Sequence, residues 1–325
     1  MDRTTFVRLT FWCTAIVLLG ATFGTAAQEA FPNRPIDIIV PWGPGGGIDQ
    51  MARKIAQPAS RILGVPLPIS NVPGASGMVG MAKVADARAD GYTVAAISVD
   101  FVTSVAAGSS KTGIQDYEWL CRTQLLESYL FVSADSPFKT IQQLLAHIKE
   151  NPKKVRVAMV GFGSPDDIAI RYLASKGYVT VPSPQPNPSE RYAATLGNHA
   201  EVLYEQAGDV KQFLESKQLR PLLVFSEKRS AAFPDVPSSK ELGFDIFLPQ
   251  WRGLLVRAGT PPDRVAKLAN ALRKAADTAE WKAFLLSQYA DPDSFIGPER
   301  FGSWAKGEYE TFRTLMKQYG MVKGN

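Results

Sequence analysis

The sequence predicts an α/β protein with two units, each built on a mostly parallel sheet with helices on its faces. Three observations carry this. The first 100 residues alternate compact apolar runs with amphipathic stretches in a β-α-β-α-β order. The same alternation restarts near residue 139 and runs to about residue 225. Two Gly-rich turns, one in each half, each follow an apolar run and open a helical pattern.

In the first half, Ile36-Asp37-Ile38-Ile39-Val40 reads as a buried strand. A helix from about Ile48 to Leu63 follows, with Met51, Ile55 and Ile62 on one face. Leu67 to Ser70 and Tyr92 to Ile97 read as strands, with a helix beginning near Ala75 between them. Tyr117 to Arg122 is strand-like. In the second half, helices are expected at 139–150, 164–176, 190–196 and 209–217, and strands at 155–160, 179–181, 201–204 and 221–225. Trp251 to Val256 is again strand-like, and helices fill the tail over 261–278, 281–289 and 298–319. Pro261-Pro262-Asp263 marks a helix start, because proline tolerates the first turn. The proline-rich stretch from Ser183 to Ser189 reads as a surface loop. No long linker separates the halves, as expected if strands cross between them.

The N-terminus reads as an export signal. Arg3 and Arg8 precede a nearly uncharged run from Phe11 to Phe23, and Thr25-Ala26-Ala27 supplies small residues for cleavage after Ala27. The apolar run is short for a membrane span. No cysteine follows it that would anchor a lipoprotein. Loss of Arg3, Arg8 and Asp2 with the signal leaves a net charge of about +4. Basic residues are scattered, so no nucleic-acid partner is expected. Cys13 lies in the signal and Cys121 is then alone, so the exported chain has no internal disulfide. Cys121 reads as a buried packing residue.

The first Gly-rich turn is Pro41-Trp42-Gly43-Pro44-Gly45-Gly46-Gly47-Ile48-Asp49. Glycines here let the backbone approach a ligand, and the helix start that follows favours an anion. The segment lacks the Gly-Lys-Ser/Thr of a P-loop, and Ile48 breaks the dinucleotide spacing. It also suits a plain strand-to-helix turn. The second is Val160-Gly161-Phe162-Gly163-Ser164-Pro165-Asp166-Asp167. Ser164 can cap the helix, Pro165 suits its first turn and an Asp complements its dipole, all without a ligand. Two such helix starts could nonetheless face one another across a cleft.

Enzyme chemistry is poorly supported. The two histidines, His147 and His199, have neither metal-ligand spacing nor acidic partners nearby in sequence. There is no Gly-x-Ser-x-Gly elbow. No cofactor and no metal are expected.

Several motifs in order then resemble a known family. Phe31-Pro32-Asn33-Arg34-Pro35-Ile36 leads into Val40-Pro41 and Gly45-Gly46-Gly47-Ile48-Asp49. Asn71-Val72-Pro73-Gly74-Ala75-Ser76-Gly77-Met78-Val79-Gly80 and Asp90-Gly91-Tyr92-Thr93 follow. Arg229-Ser230, Phe233-Pro234-Asp235-Val236-Pro237, Trp251-Arg252-Gly253 and Ala258-Gly259-Thr260-Pro261 complete the set. Together they resemble the Bug-type substrate-binding receptors of tripartite tricarboxylate transporters, over nearly all of the exported chain. The resemblance implies a type II periplasmic-binding-protein fold, with two α/β lobes and a ligand cleft between them. It implies lobe 1 from 28–130 and 254–325, and lobe 2 from 131–253, after a signal over 1–27. It implies a periplasmic, monomeric receptor that delivers a small organic acid to membrane subunits. A sensing partner of a membrane kinase would use the same fold, and a periplasmic hydrolase is the remaining alternative.

For the site, the resemblance implies a ligand carboxylate held at Gly46, Gly47 and Asp49, near Trp42. Contributions are expected from Asn71 to Gly77, including Ser76, and from Ser98 and Asp100 just past a strand end. The turn with Gly161, Gly163, Ser164 and Asp166, the cleft edge at Glu205 and Gln206, and Arg252 complete the expected set. Arg252 reads either as a carboxylate clamp or as a salt bridge at the surface or lobe interface. There are departures. The family usually carries small polar or Gly residues where this chain has Asp166 and Asp167. A dianionic ligand becomes costly if either carboxylate enters the cleft. The following strand region usually contains a Lys and several glycines, where this chain has Pro182 to Pro188.

Overall fold

A computed structural model describes residues 30–322. The expected signal, its cleavage point and Cys13 lie outside the described residues. From Arg34 onward the chain builds two five-stranded sheets.

The first sheet has strands β1 (Asp37–Val40), β2 (Ile69–Asn71), β3 (Thr93–Ser98) and β4 (Tyr117–Leu126) from the first half of the chain. The chain then enters the second sheet directly with β5 (Ser128–Ser133). That sheet continues with β6 (Arg156–Met159), β7 (Val181–Pro184), β8 (Val202–Gln206) and β9 (Leu219–Val224). The chain returns to the first sheet with β10 (Gln250–Arg257). The strand orders are β2-β1-β3-β10-β4 and β7-β6-β8-β5-β9. They are equivalent position by position. In each, three parallel strands are followed by one antiparallel strand and then by a strand that runs with the first three, and the antiparallel strand, β10 or β5, is the one contributed after a crossing from the other unit. Strand sharing of this kind accounts for the missing linker.

Helices cover the sheets: α1 (Gly47–Leu63), α2 (Met78–Asp86), α3 (Val99–Ala106), α4 (Ile141–Glu150), α5 (Pro165–Ser175), α6 (Pro188–Leu196), α7 (Lys211–Glu215), α8 (Pro262–Ala276), α9 (Ala279–Ser287) and α10 (Pro298–Gln318). Strands β3, β5 and β10 are buried along nearly their whole length, as expected of strands covered on both faces. Helix α1 buries Met51, Ala52, Ile55, Ala56 and Ala59, but Ile62 in its last turn is 40% exposed, past the end of the buried stripe.

Strand β10 shows how one element serves core and site together. Its alternation turns Trp251 towards α10 and Arg252 the other way. Trp251 packs edge-on to Phe301 at 5.6 Å, and Trp119 does so at 5.1 Å. Gly253 must be small: a Cβ there would stand 2.7 Å from the Phe301 ring and 2.5 Å from the Cys121 carbonyl. Cys121 is fully buried in this layer and burial pushes its thiol pKa up, so it is the packing residue the sequence suggests.

Two segments depart from expectation. The proline-rich stretch contains β7, with Pro182 and Pro184 in an edge strand paired with β6 on one side. An edge tolerates prolines because half its N–H groups have no ladder partner to lose. The apolar run from Val99 to Ala106 is helix α3, which has no separate signal because it continues the hydrophobicity of β3 without a break.

Candidate functional site

The site lies where β1, β3, β6 and β8 end, where the antiparallel β10 begins, and where α1, α3, α5 and α6 begin. Parallel α/β sheets place ligands beyond the carboxyl ends of their strands. Here the two sheets present those ends to one another.

The first Gly-rich turn is held from inside. Gly45 has φ +83°, and its N–H donates to Asp49 Oδ2 at 3.0 Å. Arg53, one helical turn on, donates to the same oxygen at 3.0 Å and pairs with Oδ1 at 2.9 Å. Asn71 donates to Asp49 Oδ1 and to the Trp42 carbonyl, both at 3.0 Å. Burial works against the charge of Asp49, yet these bonds hold its pKa below the ordinary carboxylate value. Asp49 therefore organises the loop, with its carboxylate fully engaged. What the loop offers is backbone: the N–H groups of Gly47 and Ile48 find no acceptor among the described residues. Helix α1 has no side-chain cap.

The second turn repeats the frame. Gly163 has φ +82°, its N–H donates to Asp167 Oδ2 at 3.0 Å, and Arg171 donates to Asp167 Oδ1 at 2.9 Å. The helix start differs. Ser164 Oγ accepts from the Asp167 N–H at 3.3 Å and donates to the Gly161 carbonyl at 2.7 Å, and Pro165 has no N–H. Asp166 is buried and accepts from the Val160 N–H at 2.8 Å.

The first turn lines a cavity of about 40 Å³. Of the sequence-derived candidates it gathers Trp42, Gly46, Gly47, Asp49, Asp100, Glu205 and Arg252. Ser98 stands behind it and donates to Asp100 Oδ2 at 2.6 Å. Ser76 lines a second, largely apolar recess of about 400 Å³ that shares Trp42 and Pro186 with the first. Gly161, Gly163, Ser164 and Asp166 form the second turn without lining the cavity. Ser76 Oγ is nevertheless 3.7 Å from where a Gly161 Cβ would sit.

Arg252 is 2% exposed and joins both units. It donates to Gln124 Oε1 at 3.2 Å within its own sheet and to Asp209, beyond the end of β8, in a short charge-assisted bond. Its Nε has no acceptor. Arg191 on α6 donates twice to Glu205 Oε2, at 2.6 and 3.1 Å. Burial opposes the charge of Arg191, but Glu205 beside it outweighs this and raises its pKa. Burial raises Asp209 to about 6 against the pull of Arg252, and burial with the nearby Asp100 raises Asp166 to about 8.

Arg191, Asp209 and Gln250 are residues of the cavity that sequence reading missed. Asp209 follows β8 as Asp100 follows β3, so the strand-end rule that selects Asp100 selects Asp209 as well. Arg191 carried no comparable signal: it is one cation in a short helix, and its role depends on Glu205 on the neighbouring strand.

A crevice between two α/β units, with backbone donors and a guanidinium inside it, defines a two-lobed solute-binding receptor. The chain belongs to the family described as the tripartite tricarboxylate transporter family receptor, which it matches over residues 51–295. These are binding receptors, and this chain is a receptor rather than an enzyme. It is 30% identical over 312 residues to a UPF0065 protein of Cupriavidus necator, covering 95% of each chain. It resembles the structure of a periplasmic transporter with a TM-score of 0.84 and 26% identity, covering 90% of this chain and 99% of that one. It also resembles an unliganded TctC solute-binding protein from Polaromonas with a TM-score of 0.66 and 30% identity, covering 89% and 99%.

Proposed function

We propose that the protein works in the periplasm as a monomer, after loss of residues 1–27, and carries a small organic acid to the membrane subunits of a tripartite tricarboxylate transporter. The observation that carries the acid is the start of α1. The Gly47 and Ile48 N–H groups stand unpaired at a buried helix N-terminus, beside Arg252 with a free Nε. Unpaired buried donors are costly, and a carboxylate removes that cost.

The two lobes of this reading are 34–126 with 250–322, and 128–249. A cavity of about 40 Å³ holds little more than water, so an organic acid enters when the lobes part at Glu127 and at Pro249. On closing, Arg252 of one lobe meets Asp209 of the other.

Thermal-shift screening of mono-, di- and tricarboxylates against wild type and Gly47→Val tests this. A Cβ at Gly47 would overlap Arg252 and Asp209. The expected result is a ligand that raises the wild-type melting temperature by several degrees and leaves the variant's unchanged. Equal shifts in both proteins would place the carboxylate elsewhere.

A further inference from the structure

The cavity is rich in carboxyl groups and has no uncommitted cation. Asp100, Asp166, Glu205 and Asp209 are all more than nine-tenths buried in or directly behind it. Two guanidiniums face these four carboxyls, and both are committed: Arg191 to Glu205 and Arg252 to Asp209. Asp100 and Asp166 have no cation bonded to them among the described residues.

The hydrogen-bond inventory points the same way. Asp100 Oδ2 accepts from Ser98 at 2.6 Å and from Gln250 Nε2 at 3.3 Å. Asp100 Oδ1 accepts from nothing, and neither do Gln250 Oε1 nor Asp209 Oδ1. All three residues are at least nine-tenths buried and line the cavity. Three unpaired acceptors around one small space call for a donor-rich group, and an alkylammonium carries three N–H. No cluster able to hold a metal occurs among the described residues.

We propose that the ligand is a zwitterion, with its carboxylate at the start of α1 and an ammonium group at Asp100 and Gln250. This rests on the receptor reading above and narrows its ligand from organic acids in general to amino-group-bearing acids. The titration of the pocket supports it. Burial raises the pKa of Asp100, with Glu205 adding and the Ser98, Gln250 and Arg191 contacts opposing. Asp166 of α5, Arg191 of α6, Glu205 and Tyr204 of β8 and Gln250 of β10 are the groups that face it. An ammonium ion bound there favours the ionised forms of Asp100 and of the neighbouring Asp166, which holds its proton to about 8, so its arrival at pH 7 releases a proton.

Titration calorimetry with sets matched at one carbon tests the proposal: L-aspartate, L-malate and succinate, then L-leucine, 2-hydroxy-4-methylpentanoate and 4-methylpentanoate, then putrescine as an amine without carboxylate. In at least one set the amino member is expected to bind about 30-fold or more tightly than its two partners. Asp100→Asn is expected to remove most of that preference. Wild-type titrations at pH 7 in buffers of different ionisation enthalpy are expected to show proton release with the amino member, which keeps the test intact should the variant fail to fold. Equal or tighter binding of the hydroxy or unsubstituted acid overturns the zwitterion and leaves the acid receptor standing. Proton uptake with the amino member also overturns the zwitterion. Binding of putrescine alone, or of no compound, overturns both readings.

Discussion

The starts of α1 and α5 share a frame and differ in polarity. Gly45, Asp49 and Arg53 recur eight residues apart from end to end as Gly163, Asp167 and Arg171, with the same left-handed glycine, the same N–H to carboxylate bond and the same i,i+4 ion pair. Between the glycine and the aspartate, one turn has Gly46-Gly47-Ile48 and the other has Ser164-Pro165-Asp166. The first triplet leaves backbone donors free. The second bonds the Ser164 N–H to the Gly161 carbonyl, has no N–H at Pro165, leaves only that of Asp166 without an acceptor, and adds a buried carboxyl. Identical scaffolding therefore carries one helix start with free backbone donors and one with a buried carboxyl, and three residues decide which is which.

The contact that joins the two units is the place to strike hardest. Arg252→Met keeps bulk but leaves Asp209 buried without its cation. Breaking a buried pair from one side costs about 3–5 kcal/mol. The expected outcome is a large fall in the urea midpoint of unfolding at pH 7, together with loss of binding of any acid found by screening. A variant with wild-type stability and affinity would show that Arg252 and Asp209 do not join the lobes in solution.

The shared frame makes a finer prediction. Asp49→Ala and Asp167→Ala each remove a buried carboxylate that holds a glycine N–H and an arginine. Each should cost roughly 2 kcal/mol of stability. Affinity should separate them: the Asp49 variant loosens the donors at Gly47 and Ile48 and weakens binding at least tenfold, whereas the Asp167 variant binds nearly as wild type. Equal losses of affinity, measured by calorimetry, would break the distinction between the two turns.

Much of this architecture was legible before the structure. The β-α-β rhythm, both Gly-rich turns and the packing role of Cys121 follow from local pattern, because strand periodicity and helix starts are written in neighbouring residues. Asp49 was legible as a residue of the site but not in its role, since its partners Gly45 and Arg53 are local while Asn71 arrives from another strand. Strand β5 was missed because it follows β4 after one residue, and a chain that changes sheet without a turn shows no break in hydrophobicity. The excess of carboxyls was invisible for a different reason. Asp100, Asp166, Glu205 and Asp209 come from four elements, and only the closed arrangement brings them together.

The smallest expected effect concerns pH. In the folded chain Asp166 holds its proton to about 8, because burial first and Asp100 second penalise its charge. Unfolded, it releases that proton near the ordinary value of about 4. Between these values the folded state binds the extra proton, so stability falls as pH rises through the window and levels off above it. Asp209, raised to about 6, acts in the same sense over the lower part of the range. The wild-type melting temperature should therefore drop between pH 5 and pH 8. Asp166→Asn keeps an acceptor for the Val160 N–H and cannot ionise, so its drop should be shallower by a few degrees, with the two curves closest at pH 5. Parallel curves would show that Asp166 is charged throughout. The second helix start would then carry a full negative charge even in the empty receptor, and the contrast with the first would be sharper still.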